Sequence, residues 1–314
     1  MERFIAIDGG KFGTKSARMI KDDTVVTDMF RTKIMVNPQI VPTTEGSYLV
    51  EYEGDRYIVG DNAESMSYET SKKLLIHKIC LLTAIANIVD CADEVILAVG
   101  CPLSEFFNET SRKEYAKYIA PIGEHKIKVD GSVKYFKIKK VDVYPESIGI
   151  AYLNIPRFKD DAIGVIDIGG LNVNGCVYNK LAPVASTIFT ANLGSNVLTV
   201  NVQNALKTEF GVNPKDYEME SILRKGFIKT APEESREVIA RVKREHIENI
   251  LAECKKQQWE LATLDIAFTG GTSLYLKNEI MSIFPYINTD NFSEDAPFLN
   301  VKGFLKMLLM TNKR

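Results

Sequence analysis

Phe4-Ile5-Ala6-Ile7-Asp8-Gly9-Gly10-Lys11-Phe12-Gly13-Thr14-Lys15 is an apolar run that ends on an aspartate and passes straight into glycines. The chain repeats the pattern at Ile163-Gly164-Val165-Ile166-Asp167-Ile168-Gly169-Gly170-Leu171. The two aspartates lie 159 residues apart, about half of the 314-residue chain. A third turn, Ile266-Ala267-Phe268-Thr269-Gly270-Gly271-Thr272-Ser273, also follows an apolar strand. Glycine lets the main chain approach a ligand closely, and N–H groups in such turns point at phosphate oxygens. Three strand-then-glycine turns predict one phosphate-bearing ligand held between two similar halves.

Outward from the first turn, strands are expected over 3–8, 16–20 and 24–30, with Lys21-Asp22-Asp23 turning between the last two. Short links make the three consecutive and antiparallel. Residues 33–70 hold Pro38, Pro42, Gly46 and Gly54 with short strands near 48–52 and 56–59, which reads as a small inserted subdomain. An apolar helix follows over 71–90, then a buried strand over 94–100 and a helix over 106–119. Residues 126–129 and 135–143 form a hairpin about Asp130-Gly131. A small-residue helix, 148–153, comes after Pro145-Glu146-Ser147.

The second half predicts strands over 163–168, 173–179 and 184–190, helices over 194–206, 218–225 and 235–258, a strand over 264–268, and helices over 272–283 and 300–310. In the longest helix Val238, Ile239, Val242, His246, Ile247, Ile250, Leu251 and Cys254 share one face. Both halves run strand, glycine turn, two strands, helical and inserted material, buried strand. That is an internal duplication at the scale of a domain.

Composition is that of an ordinary globular protein, with 45% apolar and 25% charged residues. A net charge of -2 and no clustered basic face argue against direct nucleic-acid binding. Cys80, Cys91, Cys101, Cys176 and Cys254 form no Cys-x-x-Cys pair, which suits a reduced, cytoplasmic setting. His77, His125 and His246 stand at no metal-ligand spacing, so no structural zinc is expected. The first residues do not read as a secretory signal. The segment 74–89 carries His77, Lys78, Thr83 and Asn87 and is too short and polar to span a bilayer.

The three turns together resemble those of the actin-like ATPase superfamily, which includes actin, the heat-shock chaperone ATPases, sugar kinases and the bacterial actins MreB, FtsA and ParM. Asp8-Gly9-Gly10-Lys11-Phe12-Gly13-Thr14-Lys15 is similar to the first phosphate loop, Asp167-Ile168-Gly169-Gly170 to the second, and Thr269-Gly270-Gly271-Thr272 to the adenosine loop. Val143-Tyr144-Pro145-Glu146-Ser147 and the closing Phe298-Leu299-Asn300-Val301-Lys302-Gly303-Phe304-Leu305-Lys306 resemble plasmid-segregation actins of the ParM type.

The resemblance implies an α/β, actin-like fold, the duplicated form of the ribonuclease H-like fold. Domain I would be 1–146 plus the helix at 297–314, with its insert at about 33–70. Domain II would be 147–296, with its insert at about 207–262. Each would carry a mixed five-stranded sheet and a small inserted subdomain. ATP or ADP with Mg²⁺ is the implied ligand, with GTP left open, and the implied activity is hydrolysis coupled to polymerisation.

On this resemblance Gly9, Gly10, Lys11, Gly13, Thr14 and Lys15 contact phosphates, Lys15 by neutralising their charge. Gly169, Gly170, Leu171 and Asn172 do so from the second half, where Gly194 and Ser195 face the ribose or the phosphates. Gly270, Gly271 and Thr272 serve the adenosine, and Arg224 and Lys225 line the nucleoside. Asp8 and Asp167 would hold Mg²⁺ through water, since a hydrated cation relieves their repulsion of a triphosphate. Glu146 would orient the attacking water, and its place before a helix suits the dipole as well. Lys11 stands where the family has serine or threonine. Leu171, Asn172 and Asn174 stand where it has threonine and a later aspartate.

Three functions are consistent with these residues. One is a head-to-tail filament that moves plasmid DNA through a DNA-bound adaptor protein, with no membrane contact. A second is a small-molecule kinase, which needs a carboxylate base and a sugar pocket; no sugar motif is present. The third is a membrane-linked scaffold using the tail 301–314, whose Phe304, Leu305, Leu308 and Leu309 suit a membrane surface. The same helix reads more simply as packing on the first domain. The filament is the expected function.

Overall fold

The computed structural model describes residues 1–20, 23–39, 44–67, 69, 71–287, 292 and 295–312, with Ser104 described by its backbone alone. Lys21, Asp22, Pro42 and the last two residues of the tail lie outside the described residues. The chain forms two compact units, Met1–Leu153 with Phe298–Arg314, and Asn154–Pro297.

In the first unit β1 (Glu2–Gly9), β2 (Gly13–Met19) and β3 (Val25–Arg31) run antiparallel. After β4 (Ile34–Val36), β5 (Ser47–Tyr52) and β6 (Asp55–Gly60) comes helix α1 (Leu75–Ala86), then β7 (Asp93–Cys101), parallel to β1. Helices α2 (Leu103–Phe106) and α3 (Glu109–Ile119) precede the hairpin of β8 (Gly123–Val129) and β9 (Ser132–Pro145). Asp130 and Gly131 turn that hairpin with φ of 48° and 82°, the left-handed pair that a two-residue hairpin needs.

Among the described residues the sheet order is β3-β2-β1-β7-β9-β8-β5-β6-β4. The first five strands are the expected mixed sheet. The inserted region then extends the same sheet, because β5 pairs with β8 at Val50↔Val129 and Glu51↔Lys128. Ile5, Ile7, Val95 and Leu97 are fully buried in the two central strands, and α1 covers them with Ile79, Cys80, Leu82 and Ile85.

Two helices depart from expectation for local reasons. The apolar helix begins only after Leu74, which has extended backbone. The expected 106–119 helix breaks and restarts at Asn108, whose side chain accepts the Ser111 N–H at 3.0 Å as an N-cap. The first unit closes with α4 (Gly149–Leu153) against the C-terminal helix Leu299–Asn312. A Cβ on Gly303 would lie 2.3 Å from the Gly149 Cα, so the two backbones touch. That contact carries the first unit through Leu153, past the expected boundary at 146.

The second unit begins with α5 (Ile155–Phe158). Its sheet comprises β10 (Ala162–Ile168), β11 (Val173–Asn179), β12 (Ala182–Pro183), β13 (Phe189–Ala191) and β14 (Asp265–Thr269). As with β1, strand β10 runs antiparallel to its successor and parallel to the late strand β14. The strand expected over 184–190 is split by a 3-10 turn at Ala185–Thr187. There the Thr187 hydroxyl accepts the Val177 N–H at 3.0 Å and donates to the Val184 carbonyl at 2.7 Å, replacing a ladder partner.

Helices α6 (Ser195–Phe210), α7 (Asp216–Lys225), α8 (Pro232–Lys256) and α9 (Lys277–Ile283) complete this unit. In α8 all eight residues of the expected apolar face are buried. The helix opens on Pro232, Glu233 and Glu234 and ends on Lys255 and Lys256, matching its dipole at both ends. The helix expected over 272–283 starts as a 3-10 turn, Gly271–Leu274, before α9. No helix among the described residues is long and apolar enough to cross a membrane, and all five cysteines are free.

Candidate functional site: two glycine hairpins of one design

Register shows that the two hairpins have the same length. Asp8 pairs with Lys15, and Asp167 pairs with Asn174, each seven residues on. Gly10 therefore corresponds to Gly169, Gly13 to Asn172 and Lys15 to Asn174. A Cβ on Gly10 would meet the Gly13 carbonyl oxygen at 2.8 Å, and one on Gly169 the Asn172 carbonyl oxygen at 3.1 Å. The same close approach thus excludes a side chain at Gly10 unless the backbone shifts, and crowds one at Gly169. A glycine at or just past the end of the parallel neighbour strand also lies against each aspartate: a Cβ on Gly100 would be 3.5 Å from the Asp8 carboxylate, and one on Gly270 2.5 Å from the Asp167 carboxylate.

The loop carbonyls are pulled inward. In the first unit Thr32 donates its hydroxyl proton to the Gly10 carbonyl at 2.6 Å, so the Thr14 hydroxyl donates to Thr32 at 2.9 Å. Arg31 donates to the Phe12 carbonyl at 3.2 Å and stacks its guanidinium 3.6 Å from the Phe12 ring centroid. A trans peptide directs each N–H opposite to the preceding carbonyl. The Lys11 N–H therefore points away from Thr32.

In the second unit the Gly169 carbonyl accepts the Ser195 N–H and the Thr272 hydroxyl, both at 3.0 Å. The Gly170 carbonyl accepts the Asn196 N–H at 3.0 Å, and the Leu171 carbonyl accepts the Gly194 N–H at 3.1 Å. By the same planarity the N–H groups of Gly170, Leu171 and Asn172 point the other way, as a concave anion site requires.

These bonds reassign several expected ligand contacts. The side chain of Thr14 is buried and bonded to Thr32, so it serves the loop's shape. Gly194, Ser195 and Thr272 brace the second loop from behind, since the N-terminal donors of α6 are spent on loop carbonyls. The Leu171 side chain is buried, leaving its backbone to act. Arg224 and Lys225 are exposed on the last turn of α7. Arg224 lies near Tyr275 and Glu220: burial and then Glu220 raise the Tyr275 hydroxyl pKa, while the Arg224 charge opposes them.

The first unit concentrates charge at its hairpin. Asp8 is buried at the end of β1, and Lys15 donates to it at 3.3 Å. Burial pushes the Asp8 carboxyl up, yet the ammonium groups of Lys15 and Lys72 outweigh this and hold it below the usual range. Glu146 is fixed by its own N–H, which donates to the Cys101 carbonyl at 2.9 Å, and by Ser147, which turns with φ of 74°. Lys72 donates to the Glu146 carboxylate, and both side chains are at most 10% exposed. Burial opposes the Lys72 ammonium, but Glu146 and then Asp8 raise its pKa above the ordinary value. Burial, and then Lys72, lower the Lys11 pKa. Burial first, then Lys72 and Lys11, push His77 down to about 3, so its imidazole is neutral.

Sequence reasoning missed Lys72, Thr32 and Lys243. Lys72 reads as polar lead-in to an apolar helix, with nothing periodic to mark it. Lys243 is buried in α8 and donates to the Leu223 carbonyl at 3.0 Å, closing the end of α7. Among the described residues no three His, Cys, Asp or Glu side chains cluster as a metal cage. Mg²⁺ held mainly by water and phosphate needs only one or two carboxylates, and each hairpin carries one buried aspartate, Asp8 or Asp167, of the oxygen-donor type it prefers. Surface clefts of about 560 and 480 Å³ lie elsewhere, around Trp259 and around Tyr144.

Residues 6–149 match the family described as actin-like proteins, N-terminal domain. The archaeal actin homologue Ta0583 aligns over 98% of this chain and 99% of its own, with a TM-score of 0.81 and 15% identity. Its complex with ADP aligns at a TM-score of 0.73 and 18% identity, covering 97% and 98% of the two chains. Alp12, solved as a filament, gives a TM-score of 0.75 and 29% identity over 99% of both chains. The apo psk41 ParM protein gives 0.71 and 16%, covering 99% of this chain and 98% of its own. No curated protein matches by sequence. The chain has the actin-like fold, its residues 6–149 match the actin-like N-terminal domain, and it is similar over nearly its whole length to the ParM-type proteins.

Proposed function

We propose that this protein is a bacterial actin that binds ATP with Mg²⁺, hydrolyses it, and forms head-to-tail filaments under nucleotide control. The observation that carries this is the hairpin built twice, once per unit, with a buried aspartate before a glycine-shaped loop. Loop N–H groups and Lys15 take the phosphates, and Asp8 and Asp167 hold Mg²⁺ through its waters. Bound Mg²⁺ would neutralise phosphate charge. Glu146 orients the attacking water, since phosphoryl transfer needs positioning more than covalent help. The ADP complex of Ta0583 and the filament of Alp12 support nucleotide binding and assembly. We further propose that the filament segregates plasmid DNA through a DNA-binding adaptor, which suits a chain of net charge -2. GTP is the competing nucleotide to be tested beside ATP.

Light scattering and sedimentation with Mg²⁺ and ATP, GTP, ADP or no nucleotide test this reading. Triphosphate should give pelletable polymer. Its absence under every nucleotide condition would contradict the proposal. The E146Q variant should still assemble while phosphate release slows about 10²-fold or more, the usual scale for a lost general base. Release at the wild-type rate would remove Glu146 from the chemistry.

A further inference from the structure

We propose that Lys72 is a positioning residue for Glu146: its buried ammonium holds that carboxylate beside the first phosphate hairpin, where phosphate charge would otherwise expel it. The inference rests on the nucleotide-hydrolysing reading above and assigns a residue to it that no motif marks.

Four observations carry it. The Lys72 ammonium donates to Glu146 Oε1, with side chains 5% and 10% exposed. The Glu146 backbone is already fixed, by its bond to Cys101 and by the turn at Ser147. The Lys72 bond acts on what the backbone does not set, the direction of the Glu146 side chain. Lys72 also interacts electrostatically with Asp8, Lys11 and His77, so it stands within the charge cluster of the hairpin. Finally, a buried ion pair is a poor way to gain stability, because desolvation of both ions offsets their attraction. A well-packed apolar pair would serve the core as well, so the pair's use lies in what it holds.

The competing role is direct phosphate binding by Lys72, independent of Glu146. The two roles separate in a double-mutant cycle. Single-turnover hydrolysis and calorimetric ATP affinity are measured for wild type, K72M, E146Q and K72M/E146Q. K72M and E146Q should each slow hydrolysis on the order of 10²-fold. The double variant should be no slower than E146Q beyond about twofold, because residues acting as a unit are not additive. Affinity should stay within about threefold throughout, the mark of an interaction made in the transition state. K72R should recover part of the lost rate.

K72M takes the ammonium away from a buried carboxylate and is prone to unfold. The double variant removes both charges, so comparison with E146Q alone decides the question if K72M does not fold. A double variant slower than E146Q by a further tenfold or more overturns the inference, as does affinity falling in step with rate. If E146Q turns over normally, Glu146 and Lys72 both lose their roles while nucleotide binding stands. If the wild-type chain takes up no nucleotide, the function itself is wrong.

Discussion

At Gly270 the backbone adopts φ of 86°, and a Cβ would lie 2.4 Å from the Ile168 carbonyl oxygen and 2.5 Å from the Asp167 carboxylate. The Ile168 carbonyl cannot give way without moving the strand that carries Asp167. G270A should therefore destabilise the second unit by roughly 3 kcal/mol, beyond the usual cost of alanine at positive φ. Urea unfolding checks this, and an unchanged midpoint would show that the turn yields. Glycines of this kind were legible in the sequence because what they permit is local. Lys72 was not, because its partner lies 74 residues away. Thr14 carried a signal that went unread. Adjacent strand residues point to opposite faces, so Thr14 and Lys15 cannot both send side chains to one phosphate. Lys15 takes the Asp8 side, and Thr14 turns to Thr32.

On the scale of elements, the end of β3 shapes the first loop through the Thr14–Thr32–Gly10 relay. T32V preserves volume but strands a buried donor and a carbonyl, a cost of about 1–3 kcal/mol. Its stability should fall accordingly, with weaker ATP binding by calorimetry. Equal affinity would mean that the loop holds its shape unaided.

Helix α1 supplies the second prediction at this scale. His77 is buried, and neither ring nitrogen has a hydrogen-bond partner within the protein. Its pKa is depressed from 6.5 to about 3, so the unfolded chain binds the proton first as pH falls. Folding stability is unaffected by this group above about pH 6.5. Below that it drops by up to about 1.4 kcal/mol per pH unit, until the folded state protonates near pH 3. Asp8, Lys11 and Lys72 share the surroundings of His77. H77L should flatten the fall in urea midpoint between about pH 6 and pH 4, and parallel profiles would contradict the assignment. The helix containing His246 was readable because seven apolar positions recur with it on one face. The elements that broke did so where Asn108 or Thr187 offered a side-chain bond in place of the backbone ladder, a competition that periodicity does not reveal.

For the molecule as a whole, the duplication was readable as two apolar runs ending in aspartate, and the register confirms it residue by residue. The merging of the inserted strands into the first sheet was not readable. It depends on pairing Val50 with Val129 across the sequence, and no local pattern records such a partner. The proposed function gives each of the equal hairpins the same task, the uptake of nucleotide phosphate. Titration calorimetry of ATP with Mg²⁺ tests it directly, on the wild-type chain and on G10A and G169A. The account predicts one nucleotide per wild-type chain, and weakened uptake when either glycine is replaced. Wild-type protein that takes up no purine nucleotide, or uptake untouched by both substitutions, would contradict it.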